Sequence, residues 1–146
     1  MCTKLLRCLG LVVVLLLSYS CSRDIDTKIE ECFEHNDSTV DIGKLYQEAW
    51  DTLYYIPGAC SYMTILNRIG PCYKGLWQDV GDKVLIMNSQ NNKIVYYKEW
   101  DPNYGQKQNG IVFIFKDTNN IIAIPRGKAK FKIRNTPHGL YLTLAE

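Results

Sequence analysis

Residues 83–100 read KVLIMNSQNNKIVYYKEW, and this stretch decides the fold. Two runs rich in β-branched and aromatic residues, Val84–Asn88 and Lys93–Trp100, flank four polar residues at 89–92. This arrangement is typical of two antiparallel strands joined by a hairpin loop. Because the runs at 84–87, 94–97 and 111–115 are apolar at consecutive positions, we expect these strands to be central and buried on both faces of the sheet.

The same alternation of short runs and turn residues continues toward the C-terminus. Two further hairpins are predicted, with strands at Ile111–Lys116 and Ile121–Pro125 and at Lys128–Arg134 and Leu140–Leu144. With an aromatic strand from about residue 50 or 51 to Ile56, the pattern indicates an antiparallel meander of about six or seven strands. Phe131 and Ile133 alternate with basic residues, which favours edge strands protected by lysine.

Helical spacing precedes the strands. Apolar residues recur from Ile42 to Trp50 at the intervals of one helix face, which predicts a helix to about Ala49. A second short helix is expected from Ser61 to Ile69, ended by Gly70 and Pro71. The sequence therefore predicts an α+β fold, in which one or two short helices pack on a curled antiparallel sheet.

The first twenty residues have the order of a secretory signal peptide. Lys4 and Arg7 precede an apolar run from Leu9 to Leu17, and the small residues Ser18 and Ser20 follow. The run is too short to cross a bilayer, which takes ~20 apolar residues. Residues 1–20 are therefore expected to be removed on export.

Cys21 follows the small residues directly, so the segment resembles a bacterial lipoprotein signal, with Ser18 where that family usually has an aliphatic residue. The resemblance implies cleavage between Ser20 and Cys21 and a lipid, including palmitate, on Cys21. Ser22, in place of aspartate, favours the outer membrane, on either its periplasmic or its outer side. The alternative is ordinary secretion, with Cys21 a plain thiol or half of a disulfide.

Three stretches, at 50–54, 63–70 and 85–97, resemble a family of small bacterial envelope lipoproteins. Trp50-Asp51-Thr52-Leu53-Tyr54 corresponds to the aromatic strand of that family, Met63–Gly70 to its short helix and Leu85–Tyr97 to its hairpin. The resemblance implies a compact domain anchored to the envelope and brings no known active site with it.

Net charge and composition limit the classes of binding partner that we expect. Loss of the signal removes Lys4 and Arg7, which leaves equal numbers of basic and acidic residues and a formal net charge of zero. A net charge of zero does not favour nucleic acid as a partner, because nucleic-acid binding normally requires a basic patch and a high isoelectric point. Residues 21–40 are charged and poor in apolar groups, so we expect a flexible tether there and one domain over 41–146. A short helix over Ile29–Phe33 within the tether is the alternative.

Three cysteines, Cys32, Cys60 and Cys72, remain if the signal is removed and Cys21 is lipidated. In an oxidising compartment we expect a Cys60–Cys72 disulfide, which would close a short loop and leave Cys32 unpaired. If Cys21 is not lipidated, two bridges can form, and the sequence does not decide their connectivity.

Side chains that could carry chemistry are few. His35 and His138 are too isolated to predict a zinc site, and no cofactor is expected. A Cys60 or Cys72 thiol paired with His138 would be a nucleophile, although a structural disulfide is the favoured interpretation. Four acidic residues near turns are candidate hydrolytic groups, for which solvated loop positions are the favoured interpretation: Asp79, Asp82, Glu99 and Asp101.

Aromatic residues offer the best candidate binding surface, because tyrosine and tryptophan are enriched at interfaces. The members expected in loops are Tyr73, Trp77, Trp100 and Tyr104. A second candidate surface is a cationic row, for which a solvated strand face is the simpler explanation: Lys128, Lys130, Lys132 and Arg134.

The sequence thus favours a lipoprotein without enzymatic activity that binds another envelope macromolecule or protein. One specific version is a periplasmic immunity protein that neutralises a delivered toxin. A competing class is a small cell-wall hydrolase, which requires a pocket with a buried acid or thiol. A third option is a pocket for a small apolar ligand under the curved sheet, which a dry cavity lined by Phe113, Phe115 and Tyr97 would favour.

Overall fold

The structure, a computed structural model, describes residues 25–71, 81–101 and 110–145. Its helices are α1 (Ile25–Glu34), α2 (Ile42–Leu45) and α3 (Tyr62–Ile69), with a 3-10 helix at Arg126–Lys128. Its strands are β1 (Thr39–Asp41), β2 (Thr52–Ile56), β3 (Asp82–Asn88), β4 (Lys93–Trp100), β5 (Ile111–Ile114), β6 (Ile122–Pro125), β7 (Lys130–Thr136) and β8 (Gly139–Leu144). The predicted α+β class is confirmed.

The strands form two sheets rather than one curled sheet. Sheet A has the order β1-β7-β8-β5 and sheet B the order β4-β3-β2-β6. The β3–β4 and β7–β8 pairs are antiparallel, as predicted. The prediction of a β5–β6 hairpin is wrong, because β5 joins sheet A, where it runs parallel to β8, and β6 pairs with β2 in sheet B.

Of the three strands predicted to be central, only β3 is, because β4 and β5 lie at the edges of their sheets. The double burial of β3 has a simple cause. Val84 and Ile86 point into the main core, which both sheets share with α1 and which includes Phe113 and Phe131. Leu85 and Met87 belong to a smaller core that α3 covers through Ile65 and Ile69. Sheet B is therefore covered by sheet A on one face and by α3 on the other.

The segment predicted as a flexible tether over 21–40 differs from the structure. Residues 25–34 form α1, whose Ile25 and Ile29 are fully buried in the main core. The Asp26 carboxylate forms an ion pair with Lys98 and accepts a hydrogen bond from the Tyr96 hydroxyl at 2.7 Å, both on β4. The high charge of this segment hid two apolar residues, four positions apart, that fix one helix face to the domain.

Strand β1 was also missed, because three residues are too few to show an alternation. It pairs with β7, so β7 lies between β1 and β8. The prediction that β7 is an edge strand is therefore wrong. Its Lys130 and Lys132 are exposed on the solvent face of sheet A, whereas Lys128 belongs to the 3-10 helix.

The helix predicted from Ile42 to Ala49 ends at Leu45, and a carbonyl clasp around Arg126 explains why. The Arg126 guanidinium lies 5.2 Å from the Trp50 ring centroid. It donates hydrogen bonds to four backbone carbonyls, at distances from 3.0 to 3.4 Å: those of Gly43, Tyr46, Glu48 and Trp50. These carbonyls bond to Arg126 in place of a continued helix, and a Cβ at Gly43 would collide with the Arg126 carbonyl.

Candidate functional site

A cavity of about 170 Å³ lies where the end of β4 in sheet B meets β5 and β8 in sheet A. We call it the junction cavity. The described residues that line it are Tyr55, Asp82, Trp100, Asp101, Val112, Phe113, Ile114, Phe115, Thr118, His138 and Tyr141. Both sheets contribute, so the site exists only when the two sheets are packed together.

Aromatic rings form one wall of the junction cavity. Tyr55 stacks on Phe115 with centroids 4.3 Å apart and lies 6.4 Å from Trp100. Trp100 continues the row to Phe113 at 6.2 Å. Offset rings at these separations stabilise one another beyond the area they bury. The wall is therefore preformed, and its rings are held by the main core.

A carboxylate is fixed at one end of this wall. The two Asp82 oxygens accept hydrogen bonds of 2.9 Å each, one from the Tyr55 hydroxyl and one from the Gly58 backbone N–H. Burial, together with this bond and the negative charge of Asp82, raises the pKa of Tyr55. Tyr55 therefore remains a neutral phenol that holds the Asp82 carboxylate in place.

A buried ion pair lies beside the cavity, at the start of β3. Lys83 is 2% exposed, and its ammonium lies 3.4 Å from a Glu99 oxygen and 2.6 Å from the Gly81 carbonyl. Burial acts to raise the pKa of Glu99, but the Tyr97 hydroxyl at 2.7 Å and the Lys83 charge outweigh it and lower that pKa. A Cβ at Gly81 would lie 2.6 Å from the Trp100 carbonyl, so only glycine fits there.

Of the four acids singled out in the sequence, the structure brings Asp82 and Asp101 to the junction cavity together with His138. Glu99 instead belongs to the ion pair with Lys83. Asp79 lies outside the described residues. The expectation that these acids are solvated loop positions is thus wrong for Asp82, which is tied to Tyr55 and Gly58, and for Glu99, which lies within β4.

The predicted aromatic binding surface is represented in the described part of the chain by Trp100. This residue ends β4 and is 7% exposed, so its prediction as an exposed loop residue is wrong. It is nevertheless part of the cavity wall. The other three residues of that surface, Tyr73, Trp77 and Tyr104, lie outside the described residues.

Of the three residues named for a dry apolar cavity, Phe113 and Phe115 line the junction cavity, but polar residues such as Asp82, Asp101 and His138 line it as well. Tyr97 lies elsewhere, packed against the smaller core, with its hydroxyl on Glu99. Sequence reasoning missed Tyr55, Tyr141 and Thr118 as lining residues. The aromatic richness of 54–55 was a signal for the first, but nothing local indicates the other two.

The described residues include only two of the cysteines on which predictions were made, Cys32 and Cys60. Cys60 is half-buried, and burial raises the pKa of its thiol, with the Asp82 charge adding to the effect. Its predicted partner Cys72 lies outside the described residues, as does Cys21, so the disulfide and the lipidation stay predictions. Cys32 is a free thiol on α1, whose pKa is raised by burial and by Asp37 and Glu31.

The two histidines lie in different parts of the fold. The His35 ring is exposed and bonds to the Glu31 carbonyl within α1, whereas His138 lies in the β7–β8 turn. Within residues 25–71, 81–101 and 110–145, no three His, Cys, Asp or Glu side chains are grouped so that they could hold a metal ion.

The cationic row follows the exposed face of β7. Lys130 lies 3.9 Å from Asp41, and the Arg134 guanidinium lies 5.9 Å from the Tyr141 ring centroid. Exposed pairs of this kind contribute little stability. Arg134 is thus close to Tyr141, which also lines the junction cavity.

In comparisons with known proteins, no family model, no curated protein and no solved structure matches this chain. The resemblance to envelope lipoproteins therefore stays a prediction from the sequence. Among the helices of the described residues, none is both long enough and apolar enough to span a membrane.

Proposed function

We propose that this protein is a non-enzymatic binding domain of the cell envelope, anchored through a lipid on Cys21, and that it binds its partner at the junction cavity. The observation that carries the proposal is the cavity itself. Aromatic side chains from both sheets converge there with a small number of polar groups, which is the usual composition of a binding pocket.

The state of the acidic groups favours binding over catalysis. A hydrolytic acid or base must be able to exchange a proton with a reacting group. Each Asp82 oxygen already accepts a structural hydrogen bond, and Glu99 is paired with the buried Lys83. These two carboxylates therefore act as supports for neighbouring backbone and side chains.

The binding role is tested by placing a photo-crosslinking phenylalanine derivative at Tyr141, in cells that make the full precursor. Tyr141 lines the junction cavity and is half-buried, so an aromatic replacement fits there. We expect a discrete crosslinked product. The matched control carries the same derivative at Met63, which is 58% exposed on α3 and is not among the lining residues.

Absence of a product at Tyr141, or the same product at Met63, contradicts the proposed site. The anchor is tested separately by labelling with a palmitate analogue, which should modify the wild-type chain and not Cys21→Ser. An unlabelled wild-type chain with its leader intact removes the envelope assignment without bearing on the cavity.

One observation favours a second candidate, the small cell-wall hydrolase: Asp82, Asp101 and His138 line the same cavity. Two carboxylates on either side of a bond can hydrolyse a glycoside. This candidate predicts that purified protein releases soluble fragments from peptidoglycan and that Asp101→Asn abolishes the release. Our proposal predicts no release by either protein.

A further inference from the structure

We infer that the partner of the junction cavity is a protein with an acidic surface, and that this acidic surface binds the exposed face of sheet A. The inference deepens the proposed function and rests on it, because it names the chemical class of the partner for the same site. It depends on the charges of the exposed face, on the position of β7 in sheet A, and on two residues that this face shares with the cavity.

The face of sheet A that points away from the main core, which we call the outer face, is exposed across the whole width of the sheet. Residues that pair directly across strands share a face. The register places one exposed residue of each strand in a line: Thr39, Lys132, Thr143 and Ile114. Alternate residues of a strand also share a face, so Lys130 and Arg134, both exposed, lie on either side of Lys132. The outer face therefore carries three cations along β7.

The fold itself gives no reason for three cations at alternate positions of this strand. Lysines protect edge strands, but β7 lies between β1 and β8. Alternate residues of a strand are about 7 Å apart, so like charges there repel one another. Lys130 lies 3.9 Å from Asp41. Among the described carboxylates, none forms an ion pair with Lys132 or Arg134, so these two charges remain for carboxylates of a partner.

The outer face adjoins the junction cavity. Ile114 and Tyr141 belong to this face and also line the cavity, and Tyr141 pairs directly with Arg134 across β7 and β8. A cavity of about 170 Å³ is close to the ~150 Å³ that holds one benzene ring, whereas a stable interface buries ~800 Å² of each partner. A macromolecular partner must therefore also contact the surface beside the cavity, and the outer face is part of that surface.

The mixture of groups favours a protein over a phosphate polymer or a lipid surface. Arginine and tyrosine, here Arg134 and Tyr141, are the residue types enriched at the energetic centres of protein interfaces. Ile114 is 37% exposed, and an apolar side chain of a partner would cover it. A phosphate polymer has no apolar group for this position, and a layer of lipid headgroups has no side chain that could enter the cavity.

The first test uses the crosslink at Tyr141 as its readout, in cells that make the full precursor. Lys132→Glu combined with Arg134→Glu should reduce the Tyr141 product at least about five-fold, because the two surfaces then repel. Lys44→Glu combined with Arg68→Glu makes the same charge changes at exposed positions outside sheet A, and should leave the product unchanged.

A crosslinking derivative at Thr143 provides a measurement that needs no charge-reversed variant. Thr143 is exposed and lies between Lys132 and Ile114 in the line across the outer face. We expect a product of the same mass as the one formed at Tyr141, with the same partner peptides on mass spectrometry.

The second test identifies the class of anion by NMR titration of the mature chain in a non-ionic detergent. The probe is a glutamate oligomer with one central phenylalanine. It should shift the backbone amide signals of Lys132 and Arg134 saturably, and less at high salt, whereas the same oligomer built from glutamine should not. Inorganic polyphosphate of equal charge, and micelles doped with phosphatidylglycerol, should shift these signals less than the acidic peptide does.

A Tyr141 product that persists after charge reversal on β7, or the absence of a product at Thr143, overturns the inference and leaves the proposed function standing. Stronger binding of polyphosphate or of phosphatidylglycerol micelles also overturns it, and assigns the outer face to a phosphate polymer or to lipid. If wild-type protein forms no product at Tyr141, the proposed function itself fails.

Discussion

Two basic side chains, Arg126 and Lys83, are held in this fold by different kinds of acceptor. Arg126 is half-buried and bonds to four neutral backbone carbonyls. Lys83 is almost fully buried and is balanced by the Glu99 carboxylate. A planar guanidinium fork can organise several carbonyls at once, whereas an ammonium is a compact charge that needs a counter-ion when buried.

The two groups therefore stabilise the fold in different ways. The Arg126 clasp replaces the missing helical hydrogen bonds of an irregular segment, so its contribution depends on geometry and not on pH. The Lys83–Glu99 pair fixes the start of β3 next to the junction cavity, and its contribution depends on the ionisation of one carboxylate.

The largest effect is expected for Arg126→Ala. It removes the partner of four carbonyls and the ring contact with Trp50, at a cost of about 3 kcal/mol in the free energy of unfolding. Arg126→Lys keeps the charge and loses the fork, so it should cost about half as much. Urea unfolding measures both. Arg68→Ala, on the exposed side of α3, is the control, and an equal loss there would contradict a specific role for the clasp.

A smaller effect is expected for Glu99→Gln, about 2 kcal/mol, because it removes a negative charge that lies 3.4 Å from the buried Lys83 ammonium. The amide can still accept from the Tyr97 hydroxyl, which limits the loss. Glu48→Gln makes the same change in the Glu48–Lys93 pair at 3.6 Å, where both side chains are exposed, and should change stability little. If the two variants are equally stable, the buried pair is not a special support.

The smallest expected effect is the dependence of stability on pH, and it distinguishes the Lys83–Glu99 pair most clearly from the Arg126 clasp. Because the pKa of folded Glu99 lies below its ordinary value of 4.5, its contribution is complete above pH 4.5 and is lost as pH falls through the folded pKa. We expect acid to narrow the stability gap between wild type and Glu99→Gln, because the carboxylate that the fold stabilises becomes protonated. The gap between wild type and Arg126→Ala should not change, because carbonyls do not titrate in this range. Unfolding at pH 7 and pH 3.5 measures both gaps, and a constant Glu99 gap contradicts the assignment.

Local sequence pattern predicted the strands well and their partners only in part. Alternation and turn residues identified seven strands, but 111–125 looked like a hairpin as clearly as 84–100 did. In the Asp117 turn, the carboxylate accepts from Asn119 and Asn120, and this local structure is compatible with either outcome. Which sheet each strand joins depends on contacts with β8 and β2, which are distant in sequence.

For the candidate site as well, single residues could be predicted from the sequence, but their arrangement could not. Trp100, Asp82, Asp101 and His138 were noticed as residue types suited to binding or chemistry, and all four line the junction cavity. Their convergence could not be predicted, since they come together only when sheet A meets sheet B. The end of α2 was equally hidden, because it depends on Arg126, about eighty residues further along the chain.

The position of α1 limits how far the folded domain can lie from Cys21. Ile25 is already fixed in the core, and four residue spacings separate it from Cys21. Even fully extended, such a stretch covers at most ~14 Å. If Cys21 carries the lipid as proposed, the domain is held close to the surface of the bilayer. It can swivel there but cannot extend outward, so a partner has to approach the membrane plane, and encounters become a search in two dimensions.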